Sequence, residues 1–259
     1  MSEMGKNHFD KLIEIKEKRG MKGSKFLRKK SSVLMFSGGI DSVAGLKYLL
    51  VETDKLLYVH HIHLKSNEGF DYPRYKKEAE AVRKIVPYMK KTFRNFNYTE
   101  STIDVRQIVK LLPDYYEEED SSLMVLSIVP DRLFWNLVAG LMSRITNSNE
   151  FYIGACLEDF KENNYADYDE FSLENQRKFI KYPAMSAAAY PHETPIALDC
   201  PNDPLLTKRQ SIEYIGEELM NMVWYCRQPT EKNGEFVVCH DHTICHSCRH
   251  VDNALLEKE

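Results

Sequence analysis

The chain has 259 residues, of which 43% are hydrophobic and 29% are charged, as is typical of a globular protein. Its formal net charge of −4 argues against a broad nucleic-acid-binding face, which needs clustered lysine and arginine. The sequence contains neither the apolar run of about 18 residues that a membrane-spanning helix needs nor an apolar secretion signal. We therefore expect a cytoplasmic protein with reduced cysteines and with neither a nucleic acid nor a membrane as a direct partner.

The first part of the chain differs from the rest in its charge. Residues 1–30 contain ten lysine and arginine residues and four acidic residues. Their apolar residues Phe9, Leu12, Ile13 and Ile15 have roughly amphipathic spacing, which predicts a basic helical extension. A basic arm is the alternative interpretation of this stretch.

Predicted strands and helices alternate from residue 31 onward. The pattern predicts strands over 33–36, 56–62, 92–96 and 150–154. Helices are predicted over 41–51, 73–90, 131–147, 172–181 and 207–220, and an acid-rich loop is predicted over 113–121. This alternation predicts an α/β fold with a doubly wound parallel sheet, covered by helices on both faces. Such folds bind their ligands outside the carboxyl ends of the strands.

A glycine-rich turn follows the first predicted strand, in the sequence Ser37-Gly38-Gly39-Ile40-Asp41-Ser42. Glycine permits a sharp turn and a close approach of the backbone to a ligand. The amides of such a turn, with the N-terminus of the next helix, form a nest of N–H donors that suits a phosphate group. The turn has neither the Walker P-loop pattern nor the dinucleotide-binding pattern. A purely structural turn, in which Ser37 or Asp41 caps the helix, is the alternative.

A group of four cysteines lies near the end of the chain: Cys226, Cys239, Cys245 and Cys248. The last two have the spacing of a zinc knuckle, and four thiolates complete a tetrahedral structural zinc site. Three histidines lie among the cysteines, and any one of them is an alternative ligand in place of a cysteine: His240, His242 and His246.

The glycine-rich turn matches the S-G-G-x-D-S motif of the PP-loop ATP pyrophosphatases. Together with the four cysteines, it makes the chain resemble the 7-cyano-7-deazaguanine synthase (QueC) family. Four further segments are similar to segments of that family: Val129–Arg132, Ile153–Ala155, Pro204–Lys208 and Trp224–Cys226. The resemblance spans roughly residues 32–250. It implies an adenine nucleotide alpha hydrolase-like domain over 31–223 and a zinc-binding segment over 224–259, packed on the same domain.

The resemblance implies a carbon–nitrogen ligase that uses ATP and Mg²⁺ and carries a structural Zn²⁺. Its reaction would convert 7-carboxy-7-deazaguanine and ammonia to 7-cyano-7-deazaguanine, through an adenylate and an amide. The product would serve queuosine synthesis or another 7-deazaguanine modification of nucleic acid. The family also suggests a homodimer.

The same resemblance gives roles to individual residues. The ATP site would comprise the six residues of the turn, Ser37, Gly38, Gly39, Ile40, Asp41 and Ser42. Asp41 would orient the turn or bind Mg²⁺. On its position alone, at the end of the second predicted strand, where this fold class often places the adenosine, His61 is a candidate contact to adenine or ribose; a histidine satisfied within the fold is the alternative. Arg132 and Lys208 are candidate cations for the transferring charge. The candidate substrate contacts are Arg132, Gly154 and Asp159.

The sequence departs from the family in ways that leave other functions open. Leu133 stands where the family has asparagine, and residues 162–171 replace the family's substrate loop. One alternative is a QueC-like enzyme of a phage or antiphage system that stops at the amide or adenylates another carboxylate, such as a protein C-terminus. Another is a PP-loop enzyme that thiolates tRNA, with an iron–sulfur cluster in place of zinc. A binding module without activity is the third.

Overall fold

A parallel sheet is the centre of the computed structural model, which describes residues 31–65, 72–104, 135, 137–148, 150–154, 156, 196–198, 206–243 and 245–256. Its five strands lie in the order β3-β2-β1-β4-β5. They are β1 (Ser31–Met35), β2 (Leu56–Lys65), β3 (Asn97–Asp104), β4 (Glu150–Tyr152) and β5 (Ile196–Leu198).

The strand order reverses at β1. This strand pairs in parallel with β2 on one side, where Met35 lies opposite His60, and with β4 on the other, where Leu34 lies opposite Tyr152. From β1 the chain first adds strands outward on one side and later adds β4 and β5 on the other. A crevice for ligands is expected outside the carboxyl end of β1, at this switch point. The predicted doubly wound α/β fold is confirmed.

Helices cover both faces of the sheet. They are α1 (Ile40–Val51), α2 (Tyr72–Thr92), α3 (137–146), α4 (Lys208–Ile215), α5 (Glu217–Met220) and α6 (His246–Leu256). Leu34 packs with residues of α1, α2, α4 and α6, whereas Val33 and Met35 pack on the other face, with Ala139 of α3. Because neighbouring strand residues face opposite sides and both sides are covered, the strand reads as a continuous apolar run.

Several predicted elements differ from the observed ones. The third strand, predicted over 92–96, begins at Asn97 because α2 continues to Thr92. The helix predicted over 207–220 is two helices, since Gly216 interrupts it with a φ of 81°. The short strand β5 and an antiparallel hairpin of β6 (Thr230–Lys232) and β7 (Glu235–Val237) were not predicted.

Other predictions fall outside the described residues. These are the extension over 1–30, the acidic loop over 113–121 and the helix over 172–181. The domain boundaries at 31 and 224 remain predictions. Among the residues that the structure describes, no helix is both long enough and apolar enough to cross a membrane.

Candidate nucleotide-binding site and metal centre

The glycine-rich turn joins β1 to α1 and rests on α2. Gly38 has a φ of 78°, which residues with a side chain rarely adopt. A Cβ atom at this position would lie 2.9 Å from Val82 Cγ2 and 3.3 Å from the carbonyl oxygen of Glu78. Both the conformation and the packing therefore require glycine at position 38.

The two serines of the motif hold the turn together. The hydroxyl oxygens of Ser37 and Ser42 are 3.1 Å apart, and the amide of Gly39 donates to the Ser37 hydroxyl at 3.3 Å. The Ser42 hydroxyl donates to the carbonyl of Gly39 at 3.0 Å. Gly39 is the N-cap of α1, and no described side chain caps this helix. The alternative in which Ser37 or Asp41 caps α1 is therefore wrong, and the helix start is available to an anion.

Lys208 meets the motif from a distant part of the chain. Its ammonium lies 2.6 Å from Oδ1 and 2.5 Å from Oδ2 of Asp41. The exposed fraction of the two side chains is 8% for Lys208 and 19% for Asp41. Lys208 is the first residue of α4, whose start is fixed by a capping box between Thr207 and Gln210. The ion pair therefore holds an ammonium group and a carboxylate beside the turn.

Gly154 follows β4 and abuts the start of α1. A Cβ atom here would lie 2.4 Å from the amide nitrogen of Ser42 and 2.6 Å from its Cα. Residue 154 therefore has to be glycine for the strand end to reach the motif. Its contact with substrate remains a prediction. Two other candidates, Arg132 and Asp159, lie outside the described residues.

His61 lies beneath the turn rather than on the surface. Its Nδ1 donates a hydrogen bond to the carbonyl of Phe36 at 2.7 Å, and its Nε2 is buried without a partner in the described part of the chain. Burial lowers the pKa of His61 to about 4, so the ring is neutral at pH 7. A small cavity that also touches Ser37, Glu78 and Trp135 borders His61. The Nε2 lone pair can therefore accept a hydrogen bond from a ligand.

An open cleft of about 100 Å³ lies in front of the turn. Its lining includes residues of the motif together with Gly154 and Lys208, so the structure brings these predicted residues to one place. The sequence interpretation missed four charged or hydroxylic residues of the lining and three aromatic ones: Arg74, Glu78, Arg227, Ser247, Trp135, Trp224 and Tyr225. The only available signal was the resemblance of Trp224–Cys226 to a family segment.

Arg74 and Glu78 form an ion pair within the cleft. The guanidinium Nε of Arg74 donates to Oε1 of Glu78 at 2.9 Å, one turn apart on α2. Their side chains are only 6% and 13% exposed. A buried guanidinium is costly to desolvate, and arginine is the side chain best suited to bind phosphate or carboxylate through two parallel bonds. Arg74 is therefore a candidate ligand-binding residue.

The four cysteines converge in space. Their sulfur atoms all lie within 4.8 Å of one another, with separations of 3.5 Å from Cys239 to both Cys226 and Cys248. Zinc–sulfur bonds of about 2.3 Å at tetrahedral angles separate the sulfurs by about 3.8 Å. Hydrogen bonds among these thiols lower the pKa of Cys245 and raise the pKa of Cys226 and of Cys248. The donor set fits a single tetrahedral ion.

The histidines among these cysteines have other partners. Nδ1 of His240 and Nε2 of His242 lie 3.1 and 2.7 Å from the same carboxylate oxygen of Asp252. Nδ1 of His246 accepts from Arg249 at 2.7 Å. Within the described residues, the group of four cysteines is the one whose ligand atoms converge as a metal requires.

Comparisons with known proteins add little to these observations. No protein-family model matches the sequence, and no curated protein matches it. Among solved structures, the chain is similar to the U34-tRNA thiolase NcsA from Methanococcus maripaludis with its 4Fe–4S cluster. The TM-score is 0.46 at 17% identity, over 91% of this chain and 68% of the thiolase chain. The functional interpretation therefore depends on the residues of the site.

Proposed function

We propose that the chain is an ATP-dependent, AMP-forming ligase of the PP-loop type that resembles QueC. Its reaction converts 7-carboxy-7-deazaguanine and ammonia to 7-cyano-7-deazaguanine for queuosine or another 7-deazaguanine modification. The observation that carries this proposal is the S-G-G-x-D-S turn at the carboxyl end of β1, with Lys208 against Asp41. This combination supplies an anion nest and a cation at the switch point of the sheet.

The turn and the nearby cations suit the first chemical step. An oxygen of the substrate carboxylate attacks the α-phosphorus of ATP, and pyrophosphate leaves. The amide of Gly38 and the amides of the first turn of α1, with the hydroxyls of Ser37 and Ser42, bind the leaving pyrophosphate. Lys208 and Arg74 stabilise the negative charge that develops on the phosphates. The carboxylates of the cleft that would hold Mg²⁺ are Asp41 and Glu78, and the ion, when bound with ATP, would supply further positive charge at the phosphates.

Two further steps complete the balance of the reaction. Ammonia attacks the carbonyl carbon of the adenylate and releases AMP, which gives the primary amide after loss of a proton. A second ATP adenylates the amide oxygen, which releases pyrophosphate and one proton from the nitrogen, and loss of AMP and the second proton then gives the nitrile. The planar base would stack against aromatic side chains of the cleft, for which Trp135 and Tyr225 are the candidates.

The metal that we propose for the four cysteines is zinc. The sulfur separations suit one ion with four ligands. An iron–sulfur cluster spreads its thiolates over several irons and needs a wider set of sulfurs. A zinc ion with four cysteine ligands has no open coordination position for a substrate, so its proposed role is to stabilise the fold.

The test is to incubate purified protein with ATP, Mg²⁺, ammonium and 7-carboxy-7-deazaguanine and to identify products by mass spectrometry. We expect AMP together with the nitrile, and the Ser37→Ala variant should form neither. AMP formation that does not depend on the deazaguanine acid would contradict the proposed substrate.

A second candidate function follows from the departures at Leu133 and residues 162–171. In this alternative a QueC-like enzyme of a phage or antiphage system stops at the amide or adenylates another carboxylate, such as a protein C-terminus. The same assay separates the two. Amide as the final product, or ATP turnover that requires a protein partner, would favour this alternative.

A further inference from the structure

We infer that Trp224 is a positioning residue that couples metal binding at the four cysteines to nucleotide binding at the glycine-rich turn. The inference rests on the proposed use of this turn to bind ATP. It goes beyond a purely structural role for the metal, because it makes nucleotide affinity depend on whether the metal is bound.

The first link joins Trp224 to the turn itself. The amide of Trp224 donates to the carbonyl of Gly38 at 3.2 Å. The carbonyl oxygen of Trp224 lies 3.4 Å from where a Cβ atom of Gly39 would be. The backbone at residue 224 therefore lies against both glycines of the turn that is proposed to bind pyrophosphate, and a shift of this backbone moves the turn.

The second link joins Trp224 to the metal centre. Its indole Nε1 donates to the carbonyl of Cys226 at 2.7 Å. Cys226 is 1% exposed and is one of the four converging cysteines. The indole therefore fixes the backbone of residues 224–226 as a short bridge, with the metal ligand at one end and the turn at the other. Lys77 of α2 lies over the same indole ring, 5.7 Å from its centroid.

The metal centre also supplies part of the cleft wall. Ser247 and Val251 line the cleft from α6, the helix that carries the ligand Cys248. Tyr225 and Arg227 line it from either side of the ligand Cys226. When the metal is absent, the two segments lose their common anchor, and the cleft loses the preorganisation that favours ligand binding.

Thermodynamic linkage makes this coupling reciprocal. If the metal raises the affinity for nucleotide by some factor, the nucleotide raises the affinity for the metal by the same factor. Coupling between two sites of one protein is typically about 5-fold to 150-fold. For sites joined by one short bridge, we expect a factor on the order of ten.

The experiment measures two quantities on the full chain: how much zinc raises the affinity for nucleotide, and how much nucleotide raises the affinity for zinc. Calorimetry gives the affinity of a non-hydrolysable ATP analogue with excess Mg²⁺ for zinc-loaded protein and for metal-free protein that circular dichroism shows to be folded. A chelator titration gives the zinc retained by loaded protein with and without the analogue, and a protein-free titration corrects for zinc bound by the analogue. We expect the analogue to bind zinc-loaded protein more tightly than metal-free protein. We expect the analogue to raise the affinity for zinc by the same factor.

Two tryptophan variants test the bridge. Trp224→Phe removes the indole donor to Cys226 but keeps an aromatic ring and the backbone amide, so the coupling factor should fall towards one. Trp135→Phe is the matched control, because Trp135 lines the same cleft but is a helical residue outside the 224–226 bridge. Its coupling factor should equal that of the unmodified protein.

The outcomes separate the proposed coupling from the proposed reaction. Equal analogue affinity with and without zinc overturns the coupling and leaves the proposed reaction in place. If the metal-free protein does not fold, the zinc-retention titration decides, and no effect of the analogue overturns the coupling. Coupling without a deazaguanine product overturns the reaction alone. An analogue that binds in neither state overturns both.

Discussion

Lys208 and Asp41 form an ion pair although 167 residues separate them in the chain. The pair joins the first turn of α4 to the first turn of α1, at the edge of the sheet where the glycine-rich turn lies. Both side chains are mostly buried, so each charge needs the other as its partner in place of water. In the proposed reaction, this contact places the lysine ammonium next to the phosphate nest.

Replacement of this lysine should affect both stability and chemistry. Lys208→Met leaves the Asp41 carboxylate without its partner, and we expect a loss of about 2–4 kcal/mol in the free energy of unfolding, measured by urea denaturation. AMP formation should fall on the order of 100-fold, because a cation that stabilises transition-state charge is lost.

Lys55 provides a matched control for this variant. It pairs with Glu150 at 2.6 Å, with side chains 23% and 13% exposed, close to the start of β2 and β4 and thus away from the carboxyl edge. Lys55→Met should lower stability by a comparable amount but leave AMP formation near the original rate. Equal loss of AMP formation in both variants would mean that Lys208 acts only through stability.

Gly154 should tolerate no side chain. Gly154→Ala places a Cβ 2.4 Å from a backbone nitrogen, which can move only if α1 and the motif move with it. We expect a loss of about 2–4 kcal/mol in stability together with weaker binding of an ATP analogue. Gly234→Ala is the control, because Gly234 has a φ of 79° but open space around it. It should cost about 1–2 kcal/mol of backbone strain and leave nucleotide affinity unchanged.

The part of the site that the sequence predicts is the part whose residues are close together in the chain. The motif over Ser37–Ser42 needs one strand end, one turn and one helix start, and all three are local patterns. The four cysteines have diagnostic spacing for the same reason. Lys208 was predicted only through its resemblance to a family segment, since no local pattern links it to Asp41.

The missed residues depend on contacts that no local pattern encodes. Arg74 and Glu78 have the spacing of an ordinary ion pair on a helix surface, and their burial follows from how α2 meets the turn. The bond from Trp224 to Gly38 joins parts of the chain that only the complete fold brings together. An isolated glycine is tolerated inside a helical pattern, so the sequence gives no sign that the helix stops at Gly216. The interruption is visible only in the structure, where Gly216 has a φ of 81°.

The buried histidines of β2 should make stability depend on pH. Burial lowers the pKa of His60 and of His61 to about 4, whereas a histidine in the unfolded chain titrates near 6.5. As the pH falls below about 6.5, the unfolded chain takes up protons that the folded chain does not, so stability present at higher pH is lost down to about pH 4.

His61→Phe isolates one part of this effect. The variant should be less stable at pH 7.5, because the bond to the Phe36 carbonyl is lost. Between pH 7.5 and pH 4.5 its stability should fall by less than that of the unmodified protein, with a difference on the order of 1–3 kcal/mol. Urea midpoints at several pH values give both curves, and parallel curves would contradict a neutral buried His61.

The metal centre should contain one zinc ion per chain. Elemental analysis should find zinc and no iron, and the purified protein should lack the visible absorption of an iron–sulfur cluster. Cys239→Ser should lower the zinc content and the melting temperature. Cys156→Ala is the control, since Cys156 is buried but is not one of the four converging cysteines, and its loss should leave zinc at one per chain. Iron with brown colour would support a thiolation enzyme instead.

Arg74 is the candidate ligand-binding residue of α2. A second ion pair, on α4, provides a close comparison. Arg209 and Glu213 have the same spacing, and Nε and Oε1 are 3.1 Å apart, but the side chains are 40% and 47% exposed. Exposed pairs contribute about 0–1 kcal/mol, so Arg209→Met should change little. Arg74→Met leaves Glu78 buried without this partner and should cost about 2–4 kcal/mol.

Kinetics separate a structural Arg74 from one that binds ligand. Arg74→Lys keeps the positive charge but loses the planar fork that binds two oxygens at once. If Arg74 contacts phosphate or carboxylate, this variant should lose about tenfold or more in kcat/KM for ATP or for the acid, while urea denaturation shows a smaller loss of stability than in Arg74→Met. Rates equal to those of the Arg209→Met control would show that the guanidinium only holds Glu78 and α2 in place.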